Sequence, residues 1–243
     1  MLHNVDTLMD MVLEATDGDI GRCEDFLFDD QTWTVRYMLA DSRKWLPGRQ
    51  VLVSSESLEG IDLLKNRIRV NLSQEAIRES PTLEEEAPVS RQYQARLADH
   101  YGLRHWWVGP GGHGVWPAPI PLHIDEDMGR AERDTETEDS HLRSAREVSG
   151  YRIQAPDQEI GHLETLLVED DGWEILFFVV DTRNWLPGRK VVLPKHWAKG
   201  VSWLEEAFYV NQKADRIEAC PDIDLTRPVD PRFASELRSH FNP

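Results

Sequence analysis

"DSRKWLPGRQVLV" occupies Asp41–Val53, and "DTRNWLPGRKVVL" occupies Asp181–Leu193. The two phrases share Asp, Arg, Trp, Leu, Pro, Gly and Arg at identical spacing, 140 residues apart. A catalytic motif normally needs one copy, whereas a phrase owned by a fold recurs once per folded unit. At the same offset Gly21 meets Gly161, Trp33 meets Trp173, Gly60 meets Gly200, and Val70-Asn71 meets Val210-Asn211. Comparing 1–101 with 141–241 gives 27 identities without a gap. Register held over that length marks a duplication, and two such repeats are too few for a solenoid. They read as two compact domains, 1–101 and 141–243, joined by 102–140, which has no counterpart.

Each repeat reads as short strands. "WTVRYMLAD" and "WEILFFVVD" alternate with a period of two. Trp33, Val35, Tyr37 and Leu39, matched by Trp173, Ile175, Phe177 and Val179, are therefore expected to face the core. The preceding "IGRCEDFLFDD" and "IGHLETLLVED" are strand-like, "RQVLV" and "RKVVL" supply a third strand, and "IDLLKNRIRVNL" and "VSWLEEAFYVNQ" read as hairpins with polar tips. Two helices close each copy. "SQEAIRES" and "KADRIEAC" stop before Pro81 and Pro221. "VSRQYQARLADHYG" starts at Ser90 and stops at Gly102, and "VDPRFASELRSHF" has Asp230 as cap and Pro231 at its first position. Tyr93, Leu97 and Tyr101, and likewise Phe233, Leu237 and Phe241, form docking stripes. "VDTLMDMVLEA" has helical spacing, but its counterpart "AREVSGYRIQA" reads as a turn and then a strand, and the pair outweighs the single window. The expected class is mainly β, with two tandem small barrels each followed by short helices.

The repeated phrase has a structural and a functional reading. Pro47-Gly48 and Pro187-Gly188 suit a type II turn, in which proline presets one dihedral and glycine supplies the positive one. Trp45 and Trp185 would then cover a barrel end, and Asp41–Arg49 and Asp181–Arg189 would pair across the hairpin. The alternative is a recognition surface built from Trp45, Arg49, Trp185 and Arg189.

Composition narrows the function. Lys and Arg number 27 against 44 Asp and Glu, a net charge of −17, which repels phosphate backbones and disfavours direct nucleic-acid binding. No apolar run approaches the roughly 20 residues a membrane-spanning helix needs, and "MLHNVDTLMD" lacks the pattern of a signal peptide. Two cysteines, Cys23 and Cys220, at non-equivalent positions fit idle thiols in a cytoplasmic protein.

The chemistry-bearing patterns are weak. His100, His105, His113 and His123 crowd one region, yet their spacing fits no structural zinc site. "GPGGHG" (109–114) lacks the Lys-Ser/Thr of a phosphate loop. No nucleophile–base constellation stands out, so no cofactor, metal or catalytic residue is assigned. Two apolar features ask for a cover instead. Trp106, Trp107 and Trp116 sit in the unmatched segment. Leu176, Phe178 and Val180 lie on what alternation makes an outer face, where Thr34, Arg36, Met38 and Ala40 stand in the first copy. The first repeat, the Trp-rich arm, another subunit or the C-terminal helix could each supply that cover.

"DGDIGRCEDFLFDDQTW", "DTRNWLPGRKVVLP" and the "VN…I…P" endings resemble the PRC-barrel family. That family is named for the cytoplasmic domain of the photosynthetic reaction-centre H subunit, and it includes the C-terminal domain of a bacterial ribosome maturation factor. "PVSRQYQ" and "HLRSAREVSGYRIQA" are similar to stand-alone bacterial proteins with two such domains. The resemblance implies a small β-barrel in each half and no catalytic residues. The chain departs from the H subunit in having no transmembrane helix, and from the ribosome factor in lacking its additional N-terminal barrel. The expectation is a non-enzymatic docking or assembly protein, with a homodimer through the Leu176 face as one candidate. The alternatives are an accessory of ribosome or RNA–protein maturation, working through a basic protein, and a ligand- or metal-responsive stress protein.

Overall fold

A computed structural model describes residues 1–42, 46, 49–81, 91–105, 141–182, 188–202 and 204–241. The chain opens with β1 (Leu2–Asn4), one helical turn α1 (Val5–Leu8) and β2 (Val12–Ala15). The long β3 (Gly18–Asp29), β4 (Thr34–Asp41) and β5 (Gln50–Ser54) follow. Then come the hairpin β6 (Leu58–Asp62) and β7 (Arg67–Val70), α2 (Gln74–Arg78) and α3 (Arg91–Tyr101). The second half repeats the order. It has β8 (Leu142–Ser144), α4 (Ala145–Val148), β9 (Arg152–Gln154), β10 (Glu159–Glu169), β11 (Glu174–Asp181) and β12 (Lys190–Pro194). After these stand β13 (Ala198–Ser202), β14 (Ala207–Val210), α5 (Ala214–Glu218) and α6 (Pro231–Phe241). The mainly β class expected from the sequence is what forms, and the N-terminal stretch is one helical turn leading into a strand.

Among the described residues the strands make one mixed sheet with the path β13-β14-β9-β10-β11-β4-β3-β2-β7-β6, which does not close on itself. Its ladders recur at the 140-residue offset. Cys23 faces Ala40 as Leu163 faces Val180, and Phe26 faces Met38 as Leu166 faces Phe178. The pairings β2–β7 and β9–β14 are parallel in equivalent registers.

The first strands break the segregation. β1 pairs with β10, matching His3 to Val168, while β8 pairs with β3, matching Arg143 to Phe28. Each half thus lends its opening strand to the other. The halves also meet where Thr34 pairs with Glu174. There the Val35 amide donates to the Trp173 carbonyl at 2.8 Å, and the Ile175 amide to the Trp33 carbonyl at 2.7 Å.

The alternating face expected to be core is split by a bulge. Leu27 pairs with Tyr37 but Phe28 pairs with Val35, so Arg36 is an extra residue; Leu176 is its equivalent between Phe177 and Ile175. An inserted residue reverses the side-chain parity beyond it. Val35, Met38 and Ala40 therefore enter the main core with Ile175, Phe178 and Val180. Tyr37 and Leu39 instead pack beneath α3 with Tyr93 and Leu97, and Phe177 and Val179 beneath α6 with Ala234 and Leu237. The helical stripes are docking faces, as expected. The exchanged strands enter the same layers: Leu142 lies in the cluster under α3, and Leu2 in the cluster under α6.

Two glycines permit closest approach. A Cβ on Gly21 would stand 2.1 Å from the Asp41 carbonyl oxygen, and one on Gly161 would stand 2.0 Å from that of Asp181. Their φ values, +132° and +154°, lie in a region essentially reserved for glycine. Gly150 also has positive φ, +88°, but its Cβ would meet nothing within 4 Å. Urea unfolding of Gly161→Ala is expected to show a loss of about 3 kcal/mol or more, against about 1–2 kcal/mol for Gly150→Ala, where only backbone conformation is at stake.

Candidate functional site

The junction between the halves is built from residue pairs that recur with their partners exchanged. His3 Nε2 lies 3.0 Å from Asp170 Oδ2, and at the equivalent positions Arg143 Nε donates to Asp30 Oδ2 at 2.7 Å. Thr165 Oγ1 donates to Asn4 Oδ1 at 2.7 Å, and at the matching place Ser144 donates to the Asp25 carboxylate. Asn4 and Ser144 are the caps of α1 and α4. Asp25 also accepts from the Arg146 amide at 3.0 Å and from its neighbour Phe26 at 2.7 Å. The first half therefore holds the start of a second-half helix through a buried carboxylate. Burial pushes the Asp25 carboxyl above its ordinary 3.8, while the Ser144, Arg146 and Phe26 hydrogen bonds act in the opposite direction.

Aromatic packing fills the same junction. The Trp33 ring lies 5.6 Å from Phe28 in its own half and 4.8 and 5.4 Å from Phe178 and Phe208 in the other; Trp173 stacks on Phe26 at 5.7 Å. Leu176, Phe178 and Val180, expected on one outer face in need of a cover, are parted by the bulge at Leu176. Phe178 and Val180 are 0% exposed in the main core, where Trp33 of the first half packs on Phe178, and the half-buried Leu176 packs into the cluster under α6. Trp106, Trp107 and Trp116, with His113 and His123, lie outside the described residues.

The repeated phrase acts through its arginine. Arg49 donates to the Arg78 and Ser80 carbonyls, both at 2.7 Å. Arg189 donates to the Glu218 and Cys220 carbonyls at 3.1 and 3.3 Å and to Asp222 at 2.8 Å. Those carbonyls belong to the unsatisfied ends of α2 and α5, where a cation is favoured. Ser42 and Thr182 hydroxyls close the turn onto the Arg49 and Arg189 carbonyls at 2.8 and 2.9 Å. Gly188 takes the positive φ, +84°, that a type II turn requires. Trp45, Pro47, Gly48, Trp185 and Pro187 lie outside the described residues.

The remaining reactive groups are separate from one another. His100 contacts the Ala76 carbonyl at 2.7 Å and His105 the Asp99 carboxylate at 3.0 Å. Among the described residues no group of three His, Cys, Asp or Glu could hold a metal, and no helix is long and apolar enough to cross a membrane. Cys23 and Cys220 are both buried and free. Burial raises the Cys23 thiol well above its ordinary range and pushes Cys220 up to about 12.

The surface feature the sequence reading missed is at the hairpin tips. Leu64, in the turn between β6 and β7, and Leu204, in the turn between β13 and β14, are equivalent, and each is 100% exposed. Below Leu204 lies an open cavity of about 490 Å³ whose walls include Arg152, Glu205, Glu206 and Tyr209. Arg152 donates to the Glu205 carbonyl at 2.7 Å, and the Tyr209 hydroxyl donates to the Glu205 carboxylate. Leucine at both 64 and 204, where the adjoining tip residues differ between the two copies, is the signal that could have found it.

No protein-family model matches the chain, and no curated protein was found to be similar to it.

Two measurements check the electrostatics. A water-soluble thiol reagent at neutral pH should label neither cysteine in the native chain and both in denaturant, because only the thiolate reacts. A carboxyl raised in the folded state stabilises most below its unfolded value, and that contribution is lost as pH rises through the folded value. Asp25→Asn keeps the acceptor without the charge, so its stability relative to the parent should increase from about pH 4 toward neutrality, read as the difference in urea midpoints.

Proposed function

We propose that this chain is a non-enzymatic docking or assembly protein built from two PRC-barrel-like modules, whose binding surface is the pair of hairpin tips. The tips carry leucines in full contact with water at equivalent positions, and this observation carries the reading. Burying one leucine against a partner is worth about 1.5–3 kcal/mol. The neighbouring Glu205 and Glu206 are exposed, and the chain as a whole carries −17. Tyr209 and Arg152 offer the amphipathic contact area that interfaces favour. The partner that suits such a surface is a protein segment with apolar side chains flanked by lysine or arginine, and a basic ribosomal protein falls within that description. The recurrence of every ladder at the 140-residue offset, and of Arg49 and Arg189 on equivalent helix ends, supports the two-module reading.

Because both side chains are fully exposed, Leu64→Ser/Leu204→Ser should leave the melting temperature unchanged. Cross-linked capture from native cells should retain a basic protein on the parent chain. The double variant should retain about tenfold less, and rising salt should weaken the parent's hold. Equal retention by parent and variant, or retention indifferent to salt, counts against the tips as the docking surface.

A further inference from the structure

The contacts between the halves have the form of a homodimer interface, in which a patch meets its own equivalent across a two-fold relation. Opening strands, helix caps, ion pairs and tryptophans are all exchanged reciprocally. We infer that the chain is a fused dimer: each half presents a docking face for a second copy of its own module, and the two halves recognise one another without the connection through 106–140.

The occupant of that face follows from what it must supply. The acceptor edge of β3 near Leu27–Asp29 takes a three-residue strand that brings a leucine under α3 and a basic residue to Asp30. The acceptor edge of β10 near Leu167–Glu169 takes a strand with a leucine under α6 and an imidazole at Asp170. Both copies of the module open with Leu, then His or Arg, then a capping Asn or Ser, as Leu2-His3-Asn4 and Leu142-Arg143-Ser144 do, so a second copy brings all three to this edge. The main core is shared as well, since Trp33 closes over Phe178 and Phe208 of the opposite half. A half standing alone would leave that surface wet.

Pairing unlike halves is favoured over pairing like ones. In a pair of two first halves the Asp25 carboxylate would still find a donor in the Asn4 side-chain amide, so the preference lies in the aromatic packing. Trp33 would then meet Met38 and Ile68, the equivalents of Phe178 and Phe208. In the chain as it stands Trp33 has aromatic neighbours in the opposite half.

The test uses the full-length chain with a specific protease site placed within 106–140. After complete cutting, native mass spectrometry and light scattering at low micromolar concentration should find both fragments in one particle of the intact mass. The charge-reversed variants Asp30→Arg and Arg143→Asp, cut in the same way, should each separate at concentrations about tenfold higher than the parent, and the double variant should regain the parent's behaviour. Cut parent halves that separate into two particles, or lose one fragment by precipitation, overturn the inference whatever the variants do. Single reversals that leave the cut assembly as tight as the parent overturn the assignment of this face.

Discussion

The structure depends on two tryptophans held in a backbone conformation that bulky residues avoid. Trp33 and Trp173 have φ of +56° and +54°. A left-handed conformation costs a non-glycine residue roughly 1–2 kcal/mol, so it survives only where surrounding contacts dictate it. Here they do. Each residue ends a turn and gives its carbonyl to the opposite half, and its ring packs against phenylalanines across the junction. In the first copy, the Asp29 carboxylate also collects the Gln31 and Thr32 amides at 2.8 and 3.0 Å, shaping the turn that delivers Trp33. Moving either tryptophan to an ordinary conformation would withdraw the ring from the shared core and unpair Val35 and Ile175.

Around that crossing the geometry recurs while the chemistry has diverged. Asp25 with Ser144 on one side becomes Thr165 with Asn4 on the other, and Arg143 with Asp30 becomes His3 with Asp170. In every case one donor meets one acceptor. That complementarity matters because a buried polar group left unpaired costs about 1–3 kcal/mol. The two sides differ in which group meets the helix cap: one sets the Asp25 carboxylate against Ser144, and the other sets the Thr165 hydroxyl against the Asn4 amide beside Asp6, whose carboxyl burial also raises.

Much of the fold was legible because its signals are local. Alternation found β3, β4 and their equivalents, the Asp230-Pro231 start placed α6, and the paired reading of the two N-terminal stretches recovered β2 and β9. The failures arose where a local rule is interrupted. A single inserted residue at Arg36 or Leu176 turns the next side chains to the other face, so Phe178 and Val180 read as outward when they are innermost. Nothing in the period of the residues themselves reveals a bulge. The strand exchange was invisible for another reason: three-residue strands carry no periodicity, and their partners lie far away in sequence, as His3 to Val168 and Arg143 to Phe28 show. Its trace was nevertheless present. Leu2 and Leu142 are the one identity in the first ten aligned positions, and they are the side chains buried under the opposite half's helix.

The sheet's ends decide between two ways of meeting a partner. A free edge strand can accept another strand, and β6 and β13 terminate the hydrogen-bonded path among the described residues. Both are five residues long. Each carries a bulge where Glu59 or Lys199 is inserted, since Leu58 and Gly60 face consecutive residues of β7, and Ala198 and Gly200 of β14. The inserted residues are charged and exposed. Shortness, a bulge and a charge are the devices by which edges resist pairing. These same strands run directly into the turns that hold Leu64 and Leu204 in water. Edge and tip are therefore opposed in character within a few residues, one closed to main-chain pairing and the other open to apolar contact. A partner guided by this surface would read side chains at the tips and would not extend the sheet.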